Sequence, residues 1–364
     1  MNHALDLYVV SDGDIDSALA LARRGPDIAV ARMDLNASDI KDFVAFTDKV
    51  ERTALGAESR PTQTELDDIG KRMFDHIFRG DVLKLYRRAP KGLLSIQIVT
   101  DEPRIQRVAW EFISPDDKMP VPHQERCVVR VLPICVSSDP LPVPRLGHVR
   151  VLLIGAEPIN EPGVGWSTVE KDLRRNFQSL EGAAELQVVA GANRQSLLNV
   201  LNTALFDVVH FLGHGTVVNG EGRLALVDID TQVKDFITGS DLAIALSGQE
   251  TKLAILSACE TGAGEMDKGF GSVARALLLS GIPAVVANQT SIPTNSIVPF
   301  VSALYRRLLN DGNIDSAVMA GRAALHVELR RVIHPDLAVI EWGIPALYRW
   351  PGAAQLFNKT YNYD

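Results

Sequence analysis

Between residues 148 and 330 the chain alternates between short apolar runs and longer stretches with helical apolar spacing. Strand, helix, strand in repeated order leaves few options: a largely parallel sheet with helices on both faces. HVRVLLIGA (148–156) is a continuous apolar run of the kind buried on both faces. A helix is expected over 167–180, a strand at ELQVVA and a helix over 194–205. The strand FDVVHFLGHG follows, then a hairpin around RLALVD and a short helix over 239–247. The strand KLAILSACETG, a helix over 270–280, the strand AVVANQ and helices over 294–310 and 313–330 complete the pattern. In such sheets, binding and chemistry gather at the carboxyl ends of strands.

The first 145 residues read differently. Strands are expected at 5–10 and 28–34, and a helix over 38–55. A second helix spans 64–86, capped by Thr62 or Thr64, with Leu66, Ile69, Met73 and Ile77 on its apolar face. GLLSIQIVTDEP reads as a strand and turn, VAWEFI (108–113) as an apolar segment around one glutamate, and CVVRVLPI (127–134) as a strand. PICVSSDPLPVP (133–144) has four prolines in twelve residues, which excludes a helix or a central strand. It divides the chain into a smaller α+β domain, 1–145, and an α/β domain, 146–364. A length of 364 residues fits two such domains.

Composition narrows the function classes. With 46% hydrophobic and 23% charged residues the chain has ample material for a core. Its 37 Lys and Arg against 45 Asp and Glu give a net charge of −8, which argues against a general nucleic-acid binder. No signal peptide is visible and no apolar run approaches 18 residues, so the expectation is a cytoplasmic protein without a membrane span. Three cysteines, Cys127, Cys135 and Cys259, make no disulfide framework.

Two strands end in unusual polar residues. One runs His210-Phe211-Leu212-Gly213-His214-Gly215, the other Leu256-Ser257-Ala258-Cys259-Glu260-Thr261-Gly262. Glycines there allow a sharp turn and a close approach of ligand. The 45 residues from His214 to Cys259 leave room for one hairpin and one crossover helix, so the two strands are expected to be neighbours. A Cys/His pair is a candidate nucleophile and general base, since thiolate is the reactive form and a nearby imidazolium lowers its pKa. The amides of Gly215 and Cys259 are candidate oxyanion donors. A lone buried cysteine is more often an inert small hydrophobe, which is the reading for Cys127 and Cys135. His210 shares a strand face with Val208 and Leu212 and reads as a core histidine. His210 and His214 lie about 13 Å apart along a strand, too far for a shared zinc. No G-x-S-x-G elbow, phosphate loop or G-x-G-x-x-G after a strand occurs. GAGEMDKGFGSVA (262–274) reads as a mobile loop beside the site.

HFLGHG, LSACETG and FGSVARALLLSGIPAVV, in this order and spacing, resemble the CHAT domain, a bacterial branch of the caspase-like cysteine proteases that also includes separase. The pair SIVPFVSALYRRLL and SAVMAGRAAL, then Glu341-Trp342-Gly343-Ile344-Pro345, extend the resemblance over about 146–350. More weakly, GKRMFDHIFRG, LLSIQIVTDEP and VAWEFI resemble the region that often precedes such a domain. The chain departs from the family at Ala287-Asn288-Gln289, where many members have S-L-W; that segment is expected to border the substrate cleft. The resemblance implies a caspase-like α/β fold and peptide-bond hydrolysis through a thioester, with Cys259 attacking, His214 shuttling the proton, and no metal or organic cofactor. It implies a protein or peptide substrate, and a switched effector activated by a partner protein or protease, as in bacterial antiviral defence. A zymogen loop would fall in 262–270 or 216–238. Asp228, Asp230, Glu260 and Asp267 are candidate carboxylates for a basic P1 residue, and Asn288 a candidate pocket residue. The alternatives are a caspase-like scaffold without activity and a nucleotide-binding α/β domain; retention of both His214 and Cys259 argues against the first, absence of a phosphate loop against the second.

Overall fold

The structure, a computed structural model, describes residues 4–10, 19–32, 36–89, 94–100, 103–115, 126–132, 148–178, 184–260, 271–290, 292 and 294–358. Its strands are β1 (Ala4–Val10), β2 (Leu19–Arg24), β3 (Asp27–Arg32), β4 (Leu94–Val99), β5 (Arg126–Val131), β6 (Val149–Gly155), β7 (Ala184–Ala190), β8 (Val208–Val218), β9 (Glu221–Val227), β10 (Lys234–Thr238), β11 (Leu253–Glu260), β12 (Ala284–Asn288) and β13 (Pro345–Arg349). Its helices are α1 (Ala37–Ala54), α2 (Gln63–Ile77), α3 (Gly80–Arg87), α4 (Pro103–Arg107), α5 (Trp166–Gln178), α6 (Arg194–Thr203), α7 (Gly239–Ala245), α8 (Gly271–Leu279), α9 (Thr294–Asp311) and α10 (Ile314–Arg330).

All thirteen strands join one sheet. Its order is β10-β9-β8-β11-β12-β13-β5-β4-β1-β2-β3, with β6 beside β8 and β7 beyond β6. The pairings β6–β7, β6–β8, β8–β11 and β11–β12 are parallel, as are β13–β5, β5–β4 and β4–β1. β13 runs antiparallel to β12. The sheet is therefore two parallel blocks running in opposite senses, with their carboxyl ends at opposite edges. The proline-rich segment 133–144 lies outside the described residues, as does Cys135 within it. One apolar core, carried by α1, α2, α5, α9 and α10, runs along one face across both blocks. A second core under α6, α7 and α8 covers the other face of the β8–β11–β12 block.

Local chemistry explains the element ends. Asn36 caps α1 and Thr62 caps α2, each in a reciprocal capping box, with Asp39 and Glu65 respectively. The expected helix over 64–86 is two helices: the chain leaves α2 at Phe78 and turns at Gly80 with φ +50°. The turn lets Tyr86 pack against Phe74 and Phe78, which share one face of α2; a continuous helix would carry Tyr86 about 12 Å along the axis from Phe78. The sequence reading missed β2. VAWEFI becomes a tight 3-10 turn at 110–112 that buries Trp110, Glu111 and Phe112. Cys127 is fully buried on β5, and burial pushes its thiol far above the ordinary range.

β8 changes partner along one edge. Residues 208–212 pair with β6, whereas 215–218 pair with β9. At 213–214 that edge is open, because the chain leaves β6 into the loop 156–165. Gly213 permits the departure: a Cβ there would sit 2.9 Å from the Ala156 carbonyl oxygen. Gly155 is the matching requirement, since a Cβ there would lie 2.2 Å from the Trp166 ring at the start of α5. Gly155→Ala is expected to lower stability by about 1–3 kcal/mol, measured by urea denaturation, because the ring and the loop before it must both move.

Candidate active site

The open step in the edge of β8 is where His214 stands. β8 and β11 run side by side, and the register pairs His214 with Cys259 and Gly215 with Glu260. Paired Cα atoms on neighbouring strands are about 4.8 Å apart. Position 259 has the parity of Ile255 and Ser257, and His214 that of His210 and Leu212. Both positions therefore belong to the sheet face covered by α5 and α9.

The His214 ring is buried. Its Nε2 lies 2.6 Å from the carbonyl oxygen of Pro162. A carbonyl only accepts, so Nε2 carries the proton, and the neutral ring then presents Nδ1 as a bare acceptor. Nδ1 is buried and has no hydrogen-bond partner among the described residues. That is the tautomer and the vacant lone pair a general base requires. The carbonyl is held by its loop. Glu157 accepts hydrogen bonds from the amides of Val164 (2.9 Å) and Trp166 (3.2 Å), closing the loop on itself. Asn160 accepts from the Lys234 amide (3.0 Å), the Ile159 amide donates to the Gln232 carbonyl (3.0 Å), and Lys234 pairs with Glu161 at 2.6 Å, which ties the loop to the β9–β10 turn.

Beneath this pair lies a second histidine. His210 is fully buried, with Nε2 3.0 Å from Ser257 Oγ on β11 and Nδ1 3.2 Å from the Tyr305 hydroxyl on α9. Burial pushes its pKa down to about 3, so it is a neutral core histidine that bridges the two strands. An unfolded histidine takes up a proton below about pH 6.5 and the folded one does not, so this group's contribution is fully present above that value and falls with pH down to about 3. The expected acid loss is about 2 kcal/mol between pH 7 and pH 5. Urea titrations at both pH values, wild type against His210→Gln, isolate it.

The other sequence candidates separate. Asn288 is buried at the end of β12, one residue beyond the Leu256–Ala287 pair and therefore level with Ser257 rather than with Cys259. Asp228 lies in the β9–β10 turn, where its Oδ1 accepts from the Asp230 amide (3.1 Å), the Thr231 amide (2.8 Å) and the Thr231 hydroxyl (2.7 Å). Those bonds hold its carboxyl below the usual carboxylate range and commit it to shaping the turn; Asp230 is an exposed member of the same turn. Gly215 is laddered on both sides, to Glu260 and to Leu224. Asp267 and most of the 262–274 loop lie outside the described residues. The segment 216–238 forms the end of β8, β9 and β10.

Sequence reasoning missed the role of Gln289. Instead of lining a cleft, it accepts from Arg130 (2.7 Å) and donates to Glu111 (3.0 Å) and to the Gly343 carbonyl (3.1 Å). The departure from the S-L-W pattern thus fastens β12 to the N-terminal half. It also missed Thr290, which is buried with an Oγ that has no partner among the described residues. Its nearest signal was position, two residues past a strand end. Among the described residues no cluster of histidine, cysteine and carboxylate side chains could hold a metal, and no helix is long and apolar enough to cross a membrane.

A sequence model of the CHAT domain matches residues 163–348, just over half of the chain. The chain belongs to the CHAT domain family. No curated protein matches it. Among solved structures, this CHAT protein is similar to separase in the Saccharomyces cerevisiae separase–securin complex, with a TM-score of 0.53 and 11% identity over 96% of its length. It spans only 30% of that separase chain. The Arg-specific cysteine proteinase gingipain R is a more distant likeness, with a TM-score of 0.43 and 12% identity, covering 88% of this chain and 76% of that one. The CHAT protein has the caspase-like α/β fold: a mostly parallel central sheet with helices on both faces.

Proposed function

We propose that this protein is a cysteine endopeptidase whose working pair is His214 and Cys259. The observation that carries the reading is the His214 ring: Nε2 tied to the Pro162 carbonyl, Nδ1 without a partner among the described residues, and Cys259 as its register neighbour. Nδ1 takes the thiol proton, the Cys259 sulfur attacks the scissile carbonyl, and the oxyanion is held by the backbone amide of Cys259, Gly215 being laddered to both neighbouring strands. The proton on Nδ1 passes to the leaving amine. Water, deprotonated by the same nitrogen, then hydrolyses the thioester. The Pro162 carbonyl fixes the tautomer throughout and accepts from Nε2 when the ring is charged, the part a third group plays in a triad.

The substrate is a protein partner, and a basic P1 residue is the preference we assign. Glu260 and Asp267 are the acids that support it, because Asp228 is committed to its own turn. A positional peptide library that returns arginine or lysine at P1 supports that assignment, and one that returns an apolar residue sinks it. The protein acts as a switched effector in the bacterial cytoplasm, with 1–145 an accessory region that takes the activating partner or protease and 146–364 the protease. N-terminal proteomics of cells expressing wild type against Cys259→Ala tests the activity directly. New N-termini that depend on Cys259 are the expected result; identical N-terminomes overturn it.

A further inference from the structure

We propose that a small cavity joining the two halves of the sheet binds one monoatomic anion, chloride in cells. The cavity lies between the N-terminal half and α10. Its volume is about 30 Å³, room for one ion or a single water and too little for an organic ligand.

Charge is the first argument. Glu111, Arg130 and Arg322 form a buried cluster of one carboxylate and two guanidinium groups. Glu111 spends its carboxylate on Arg130 (2.8 and 3.1 Å) and Gln289, and Arg322 stays 3.8 Å from it. Although burial alone would push the carboxyl up, the Arg130 and Arg322 charges hold Glu111 below the usual range, so it stays ionised and the cluster keeps an excess positive charge. Arg126, half-buried and lining the same cavity, adds another. Its guanidinium lies over the Tyr86 ring at 5.2 Å and has no carboxylate partner among the described residues. A buried cation without a counter-ion is costly.

Unused donors are the second argument. Arg322 is 1% exposed; its Nε and Nη2 donate to the Pro345 carbonyl, at 3.1 and 2.6 Å. Among the described residues its Nη1 meets only the Met319 thioether at 3.7 Å, a weak acceptor. Trp342 is 2% exposed, and its indole N–H has no partner among the described residues. Arg322 and Trp342 both line the cavity, as do Glu111 and Ser114, and its remaining walls are mostly apolar, Ile96 and Val128 among them. Donors without acceptors, surplus positive charge and apolar walls suit a large, weakly hydrated halide. A neutral water would satisfy the donors and leave the charge. Because Glu111 and Arg126 come from the N-terminal half and Arg322 and Trp342 from the CHAT half, a bound halide would tie the halves together.

The experiment is independent of peptidase activity. Crystals of the full chain grown in sodium bromide are expected to show one anomalous peak within hydrogen-bond reach of Arg322 Nη1 and Trp342 Nε1; an ordered water with no anomalous signal, or an empty cavity, overturns the proposal. In solution, the Tm of wild type is expected to rise saturably as bromide or chloride replaces gluconate at constant ionic strength. Trp342→Phe, which removes the indole N–H and shortens the ring, is expected to weaken that dependence, and Arg322→Met to abolish it. Equal Tm values for wild type in bromide and gluconate overturn the site even if the Arg322 variant fails to fold.

Discussion

Replacing Cys259 with alanine, or His214 with alanine, is expected to lower kcat for peptide cleavage by about 10⁴-fold or more, because members of a catalytic unit fail together rather than in proportion. The double variant is expected to be no worse than either single one. The two replacements differ before turnover. Iodoacetamide labelling of Cys259 reads its thiolate fraction, and in His214→Ala that fraction is expected to follow an ordinary cysteine, whose pKa is about 8.5. A plot of labelling rate against pH therefore moves to higher pH when His214 is lost. Identical labelling profiles for wild type and His214→Ala, together with no cleavage of any protein substrate by the wild type, would sink the dyad and leave a caspase-like scaffold. Because His214 is held through Nε2 by a loop whose closure depends on Glu157, Glu157→Gln is expected to reduce kcat and leave KM near its original value.

The second large effect concerns stability. Asp315→Ala is expected to cost about 3–5 kcal/mol in urea denaturation. Asp315, at the start of α10, is fully buried and takes two bonds from Arg349 on β13, at 2.7 and 2.8 Å. Ser95 on β4 donates to the same carboxylate. Removing the acid leaves the Arg349 guanidinium, 1% exposed, with hydrogen bonds to Gln97 (3.3 Å) and a backbone carbonyl (3.0 Å) and the more remote Asp6 carboxylate among the described residues. The loss should come from the stranded charge rather than from the missing attraction. Asp315→Leu combined with Arg349→Met is therefore expected to recover most of it. A double variant as unstable as Asp315→Ala would place the cost in packing instead.

The β8–β11–β12 block was legible because parallel strands buried on both faces are written as unbroken apolar runs, and the helices between them keep a clear period. That the strands carrying His214 and Cys259 are neighbours was legible for the same reason, but the end expected at Gly215 was not: β8 runs on to Val218 because residues 215–218 pair with β9. Less could be read where packing partners come from far away. Gln289 looks like a cleft residue by position, and only the presence of Arg130 and Glu111, more than 150 residues earlier, turns it inward. Pro162 carries no side-chain signal at all, since its contribution is a backbone oxygen placed by Glu157, Asn160 and Lys234. The break at Gly80 was hidden because the residues on both sides keep a helical period, and the aromatic cluster that the turn brings together is a tertiary effect.

The place of β13 in the sheet has a consequence for synthesis. It comes last among the described strands, yet it fills the slot between β12 and β5, touching β5 at only two register pairs. Until residues 345–349 leave the ribosome, β12 and β5 are each an open edge, and β5 waits while more than two hundred further residues are made. At about 5–20 residues per second that interval is on the order of ten to forty seconds. A nascent chain would thus carry two complementary unpaired edges, a hazard for pairing with other chains. The N-terminal half and the CHAT block would meet as a single sheet only once β13 has been made.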